Sequence, residues 1–117
     1  MDRPAINELE TSAREKLVAL AQKMINGELS YFEGAPKVLA LKDLIGGVAD
    51  RDTDFDAFVV ISSETDHLPL EAQRHKWAAS VLEALVSEFE KTEQWASEFA
   101  PKACQNLIGR FSAAANK

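Results

Sequence analysis

The chain has 117 residues, of which 46% are hydrophobic, 27% charged and 8% aromatic, and its net charge is −6. Folding of a chain this long buries roughly two-thirds of its extended surface, which supports one core but not two, so we expect a single domain over residues 1–117. The high apolar fraction, with only four prolines and five glycines, excludes collagen-like, low-complexity and intrinsically disordered chains.

The single cysteine, Cys104, excludes an internal disulfide and a zinc site built from cysteines. So little cysteine fits a reducing compartment. The first residues lack the apolar stretch of a signal peptide, and the longest apolar run, 58–61, is far below the ~20 residues that cross a bilayer. We therefore expect a soluble protein of the cytoplasm.

The negative charge is concentrated in one segment. Residues 44–72 carry the whole excess of −6, because Arg51 is their only base. Such a segment repels nucleic acid and anionic membranes and attracts basic partners. The alternative is a solvated acidic loop that only keeps the protein soluble. The acids of this segment are Asp50, Asp52, Asp54, Asp56, Glu64, Asp66 and Glu71.

Helical periodicity begins near the N-terminus. In residues 5–25 the apolar side chains step by three or four, which predicts an amphipathic helix that ends at Asn26-Gly27. A second helix is predicted over 28–45. Pro36 interrupts it, so the helix either kinks there or restarts near Ala35 after a turn at 29–34.

Two further helices follow. The third is predicted to be capped by Asp52 or Thr53 and to end near His67, because Pro69 disfavours helical angles at the residue before it. The fourth is predicted to run over residues 80–111, with Pro101 bending it or breaking it at Ala100.

Four amphipathic helices with short connections predict an all-α fold. We expect an antiparallel bundle of about four helices whose long C-terminal helix is kinked at proline. The apolar stripes of the last two helices supply the predicted core, which includes Phe58, Leu85, Phe89, Phe99 and Leu107.

No motif predicts a bound metal or cofactor. Residues 50–61 begin with the alternating acids of a calcium loop, but Phe55 and Ile61 occupy the positions where that loop needs Gly and Glu. His67, Glu71 and His75 step by four as helical metal ligands do, yet Pro69 interrupts the helix that would align them. We expect no metal site and no cofactor.

The segment 62–67 groups nucleophile, acid and base types. Catalytic triads are normally assembled from residues distant in sequence, beside an oxyanion hole that nothing here supplies. A hydrogen-bonding network that closes one helix is the preferred interpretation, and we expect no catalytic residue. A hydrolase that uses Glu64, Asp66 and His67 is the alternative.

Trp77 and Trp95 are the largest side chains of the sequence. Trp77 lies in the connector before the fourth helix, and Trp95 falls beside that helix's apolar stripe. Tryptophan is common at interface hot spots. Both are therefore candidate partner-binding residues, with a position at the edge of the core as the alternative.

Four short motifs carry a resemblance over about half of the chain. They are Asp54-Phe55-x-x-Phe58, Ser63-Glu64-Thr65-Asp66-His67-Leu68-Pro69, Trp77, and Trp95-Ala96-x-x-Phe99-Ala100 with the residues around Cys104 and Leu107. In these four motifs the chain resembles an uncharacterised bacterial family of small helical proteins. The resemblance implies a compact helical fold and assigns no catalytic residue.

In size, acidity and lack of catalytic motifs the chain is also similar to cytoplasmic immunity proteins, which neutralise a cognate bacterial toxin. We therefore expect a non-enzymatic protein-binding module whose acidic surface, with Trp77 and Trp95, binds a basic protein. Most concretely this is an immunity protein against a nuclease-type toxin, whose nucleic-acid-binding surface is basic. The alternative is an intracellular helical protein of structural or regulatory role, as a homodimer.

Overall fold

The computed structural model describes residues 8–112, and this part of the chain is helical without a strand. The predicted all-α class is confirmed. The helices are α1 (Glu8–Ile25), α2 (Tyr31–Ile45), α3 (Thr53–Glu64), a 3₁₀ helix (Glu71–Lys76), α4 (Ala79–Ala96) and α5 (Ala100–Phe111).

α1 ends where the sequence predicts. Gly27 adopts a φ of +80°, which only glycine reaches without strain. The chain then turns back, and the backbone N–H groups of Glu28 and Leu29 donate to the Lys23 carbonyl at 2.9 and 3.2 Å. These bonds satisfy the carbonyl that the helix end leaves open.

α2 begins three residues later than predicted and does not restart at Ala35. Ser30 caps it, since its hydroxyl accepts a hydrogen bond from the Glu33 backbone N–H at 3.0 Å. Pro36 lies inside a continuous helix, one turn after its start. A proline there removes one backbone donor near the helix end and does not stop the helix.

α3 is capped by Asp52, one of the two predicted caps, and ends at Glu64 rather than near His67. The Thr65 hydroxyl, which is buried, donates to the Ile61 carbonyl at 2.6 Å. This local bond occupies a carbonyl of the last turn, and the chain leaves the helix before Pro69 requires it.

The predicted long fourth helix is wrong as a single helix, because α4 and α5 are separated at residues 97–99. The break comes just before Ala100, on the N-terminal side of Pro101. A break at this point is one of the two outcomes that the sequence predicts. Pro101 occupies the first turn of α5, where its missing N–H costs no hydrogen bond.

The core lies between four of the helices. α1 packs on α2 and α5, and α3 packs on the same two helices, so the four surround one apolar cluster. α4 reaches the cluster only at its C-terminal end, through buried Ala96, and packs mainly on α2. The largest side chains buried completely in the cluster are Leu17, Val38, Ile45, Phe55, Phe58, Ile61, Cys104 and Leu107.

Two of the five predicted core residues are confirmed, Phe58 and Leu107. Leu85, Phe89 and Phe99 are only half-buried; Phe99 packs against the cluster, whereas the assignment of Leu85 and Phe89 to the core is wrong. Leu85 and Phe89 lie on α4, outside the four-helix cluster, and Phe99 lies at the break before α5. Periodicity finds the apolar side of a helix but does not show whether another element covers it.

Within residues 8–112, none of the helices combines the length and the hydropathy that crossing a bilayer requires.

Candidate protein-binding surface

The C-terminal half of α4 is held against the start of α2. The Glu93 carboxylate accepts hydrogen bonds from the backbone N–H groups of Tyr31 at 3.0 Å and Phe32 at 2.8 Å, two donors that a helix start leaves open. One turn earlier, the Phe89 ring packs on Phe32 with ring centres 5.6 Å apart. This end of α4, which also carries the buried Ala96, is therefore fixed to the cluster.

The 3₁₀ helix before α4 is also tied to α2. The Glu33 carboxylate accepts a hydrogen bond from the Glu71 backbone N–H at 2.8 Å and lies 3.8 Å from Arg74. The Arg74 guanidinium lies over the Phe89 ring, 4.5 Å from its centre, and donates to the Pro69 carbonyl at 3.3 Å. These contacts set the point from which α4 begins.

The N-terminal half of α4 carries apolar side chains that little of the protein covers. Trp77, just before the helix, is 40% exposed, Val81 is 43% exposed and Val86 is 50% exposed. Leu82 and Leu85 are half-buried and lie between the two valines, since Val81 is four residues before Leu85 and Leu82 is four residues before Val86. We call these five residues the α4 surface. A contiguous apolar patch of this kind is typical of an interaction site, whereas scattered exposed residues are not.

Acidic side chains border the helical part of the α4 surface, while exposed Lys76 precedes Trp77. Glu83 and Glu90 are exposed, and their spacing of three and four residues from Val86 places both beside it. At the opposite edge Glu88 pairs with His67. The hydrogen bond to Glu88 raises the pKa of His67 above its ordinary value of 6.5.

Two of the predicted partner-binding acids are used inside the protein. Asp52 caps α3, and its carboxylate oxygens lie 2.9 and 2.8 Å from the two terminal nitrogens of Arg110. Asp54 accepts hydrogen bonds from Arg110 and from Asn106, both at 2.9 Å. Both carboxylates are largely covered, so this part of the acidic segment joins α3 to α5.

The neighbouring acids make weaker or no side-chain contacts. Asp56 lies 3.3 Å from Arg51, whose side chain is almost fully exposed. Asp50 lies in an exposed turn, where its backbone carbonyl accepts a hydrogen bond from Lys42 at 3.1 Å. Exposed ion pairs of this kind contribute little to stability.

The remaining predicted residues are divided between two clefts and the segment that leads into α4. Glu64 and Trp95 line one cleft of about 310 Å³, and Asp66 lines another of about 220 Å³. Trp95 is half-buried and packs edge-on against Phe99, with ring centres 5.1 Å apart. Exposed Glu71 begins the 3₁₀ helix that leads to Trp77. The structure thus brings Glu64 to Trp95 and places Trp77 beside α4, without gathering all nine predicted residues in one site.

The side chains that the alternative hydrolase would use are not arranged as a catalytic triad. Among the described residues, the hydrogen-bond partner of the His67 ring is Glu88, on α4, and not a serine of the segment 62–67. Cys104 is buried, and burial raises the pKa of its thiol to about 12, so the thiol is protonated at neutral pH. In residues 8–112 no three His, Cys, Asp or Glu side chains are grouped as a metal site requires.

Sequence periodicity missed Val86 as a surface residue, because it places Val86 with Leu82 and Leu85 on a buried stripe. One feature of the sequence could have indicated that this stripe is uncovered. The segment that precedes α4, Glu71–Lys76, is almost entirely polar and offers no apolar face against which that stripe could pack.

Comparison of the chain with protein-family models, with curated proteins and with solved structures finds no match in any of the three.

Proposed function

We propose that this chain is a non-enzymatic protein-binding module that binds a basic, amphipathic segment of a partner on its α4 surface. The observation that carries the proposal is the exposure of Trp77, Val81 and Val86 at the end of α4 that the core does not cover, where the two valines flank half-buried Leu82 and Leu85. Fully burying one large apolar side chain contributes roughly 1.5–3 kcal/mol, so covering this surface supplies several kcal/mol of binding free energy.

The charges around the surface favour a basic partner. Glu83 and Glu90 border Val86, and exposed Glu64 lines a cleft beside α4 together with Glu88. Lys91 lines the cleft that also contains Glu64 and Glu88, where the two acids outnumber it. Pairing of two α4 surfaces with each other brings like charges together, which opposes a dimer of that kind.

The most concrete form of the proposal is an immunity protein that neutralises a basic, nuclease-type toxin. The acidic border steers such a partner and raises the association rate, while the apolar residues determine how long the complex lasts. Within this proposal Asp52 and Asp54 are structural, and Glu64, Asp66, Glu71, Glu83 and Glu90 supply the accessible charge.

The first experiment measures binding of a synthetic amphipathic helical peptide of leucine and lysine by calorimetry. The double variant Val81→Ser/Val86→Ser is expected to weaken binding at least about tenfold, a loss of ~1.4 kcal/mol. The matched control is Val59→Ser/Val60→Ser, which removes two equally exposed valines from α3. The control should bind as the wild type does.

Equal losses in the two double variants would show that the peptide binds exposed apolar residues without preference, and would overturn the proposal. The charge contribution is tested separately by Glu83→Gln/Glu90→Gln, which should slow association and flatten its salt dependence. Glu98 is an exposed acid beyond the end of α4, so Glu98→Gln is the control for a loss of negative charge away from the surface.

The immunity form has its own test. If the product of the neighbouring gene is a nuclease, an equimolar amount of this protein should inhibit its activity. Val81→Ser/Val86→Ser should lose that inhibition while Val59→Ser/Val60→Ser retains it. Inhibition that survives in both variants would place the interface elsewhere on the molecule.

A further inference from the structure

A second apolar surface lies on the outer side of α1 and α2. It is a groove of about 430 Å³ between the two helices, and no acidic residue lines it. Three exposed lysines form its rim, although the protein as a whole is acidic. The rim residues are Lys16, Lys23 and Lys37, and the floor residues are Ala19, Leu20, Ala40 and Leu41.

The apolar strip continues beyond the groove. Leu9 is 76% exposed and lies seven residues before Lys16, on the same side of α1. Leu44 is 52% exposed and lies three residues after Leu41, on the same side of α2. The Arg14 guanidinium donates to the Ile45 carbonyl at 3.0 Å, which holds the start of α1 to the end of α2 and brings the two leucines to one end of the strip.

The groove and the α4 surface are complementary in charge and in polarity. One is an apolar groove with a basic rim, and the other is the apolar side of a helix with an acidic border. We infer that α4 of a second copy of the chain binds in the α1–α2 groove. This inference rests on the proposed function, because it uses the α4 surface and names a partner for it.

The dimensions agree with this contact. From Lys16 to Lys23 the groove extends about 10 Å, and the uncovered part of α4, residues 79–87, is about 13 Å long. Ala19 and Ala40 on the floor are small enough for a third helix to approach within the usual 8–10 Å between helix axes.

The contact must be made between two molecules. Glu93 and Phe89 hold α4 to the first residues of α2, on the side of that helix where Phe32 lies. Lys37 and Leu41 are five and nine residues further on and lie on a different side of α2. Because one helix in one groove is a small interface, we expect weak association that strengthens if two copies exchange α4 reciprocally.

Sedimentation equilibrium of the full chain tests the inference. The average mass should rise with protein concentration at low salt, and raising the salt concentration should reduce it. The groove variant Lys16→Glu/Lys37→Glu and the helix variant Glu83→Lys/Glu90→Lys should each remain monomeric. The control Arg51→Glu/Lys102→Glu changes the net charge as the groove variant does, but lies outside both the groove and α4, and should associate more strongly than the groove variant. Circular dichroism confirms that all variants keep their helices.

Mixing the two reversed variants gives the decisive result. The basic α4 of the helix variant can bind the acidic groove of the other variant, so the mixture should associate although neither component does alone. A monomeric wild type at every concentration and salt, or a mixture that stays monomeric, would overturn the inference. If the leucine–lysine peptide still binds the α4 surface in that case, the proposed function stands and only the second copy is excluded as its partner.

Discussion

Arg110, near the end of α5, makes a two-pronged ion pair with Asp52, the residue that caps α3, although the two are 58 positions apart in the chain. The same carboxylate accepts hydrogen bonds from the backbone N–H groups of Asp54 and Phe55 at 3.0 and 3.4 Å. Asp52 therefore starts one helix and attaches another to it. The hydrogen bond from Arg110 holds the pKa of the Asp52 carboxyl below its ordinary value of 3.8.

Asp52→Ala should destabilise the protein by about 1 kcal/mol more than Asp52→Asn, because alanine removes the cap as well as the ion pair, whereas asparagine caps about as well as aspartate. Urea denaturation at pH 7 measures both. Asp50→Asn, which removes an acid in the exposed turn just before the cap, is the control and should leave the midpoint unchanged.

The ion pair also makes a prediction about pH. Since the pKa of Asp52 is lower in the folded protein than in the unfolded chain, its contribution to stability is complete above about pH 4 and is lost as the pH falls through the folded pKa. The stability difference between the wild type and Asp52→Asn should therefore shrink below pH 4. A difference that is constant from pH 7 to pH 3 would contradict this account.

Phe58 and Phe89 should respond very differently to the same substitution. Phe58 is completely buried among the four helices, so Phe58→Ala is expected to cost roughly 3–5 kcal/mol. Phe89 is half-buried and touches Phe32 and Arg74 at the edge of the fold, so Phe89→Ala should cost about half as much. Thermal unfolding of the two variants under one condition compares them. Equal losses would mean that α4 belongs to the core.

His67 should titrate above pH 6.5 in the folded protein, because its protonated ring pairs with Glu88. Glu88→Gln should bring the pKa of His67 back toward its ordinary value, as followed by NMR of the ring protons. The pair stabilises the fold fully below pH 6.5 and is lost as the pH rises through the folded pKa. Both side chains are well exposed, so the effect on stability should be small. A pKa that does not move in Glu88→Gln would remove Glu88 as the cause.

Local signals in the sequence determined the fold class and several of the helix ends. The left-handed turn at Asn26-Gly27, the cap at Asp52 and the break ahead of Pro101 each depend on a few neighbouring residues. Short-range sterics and hydrogen bonds decide these features, so they can be predicted without knowledge of the rest of the fold. The sequence also placed Trp77 among the candidate binding residues, and that side chain is exposed beside α4.

Only the tertiary structure decided which apolar stripes are covered and which charges are free. Leu82, Leu85 and Val86 have the spacing of buried residues, yet the four other α-helices enclose the core without them. Asp52 and Asp54 belong by sequence to one acidic segment with Glu64 and Asp66, but Arg110 reaches only the first two. Pairing across 56 or 58 positions depends on where the helices pack, and that is set by the whole core rather than by any local pattern.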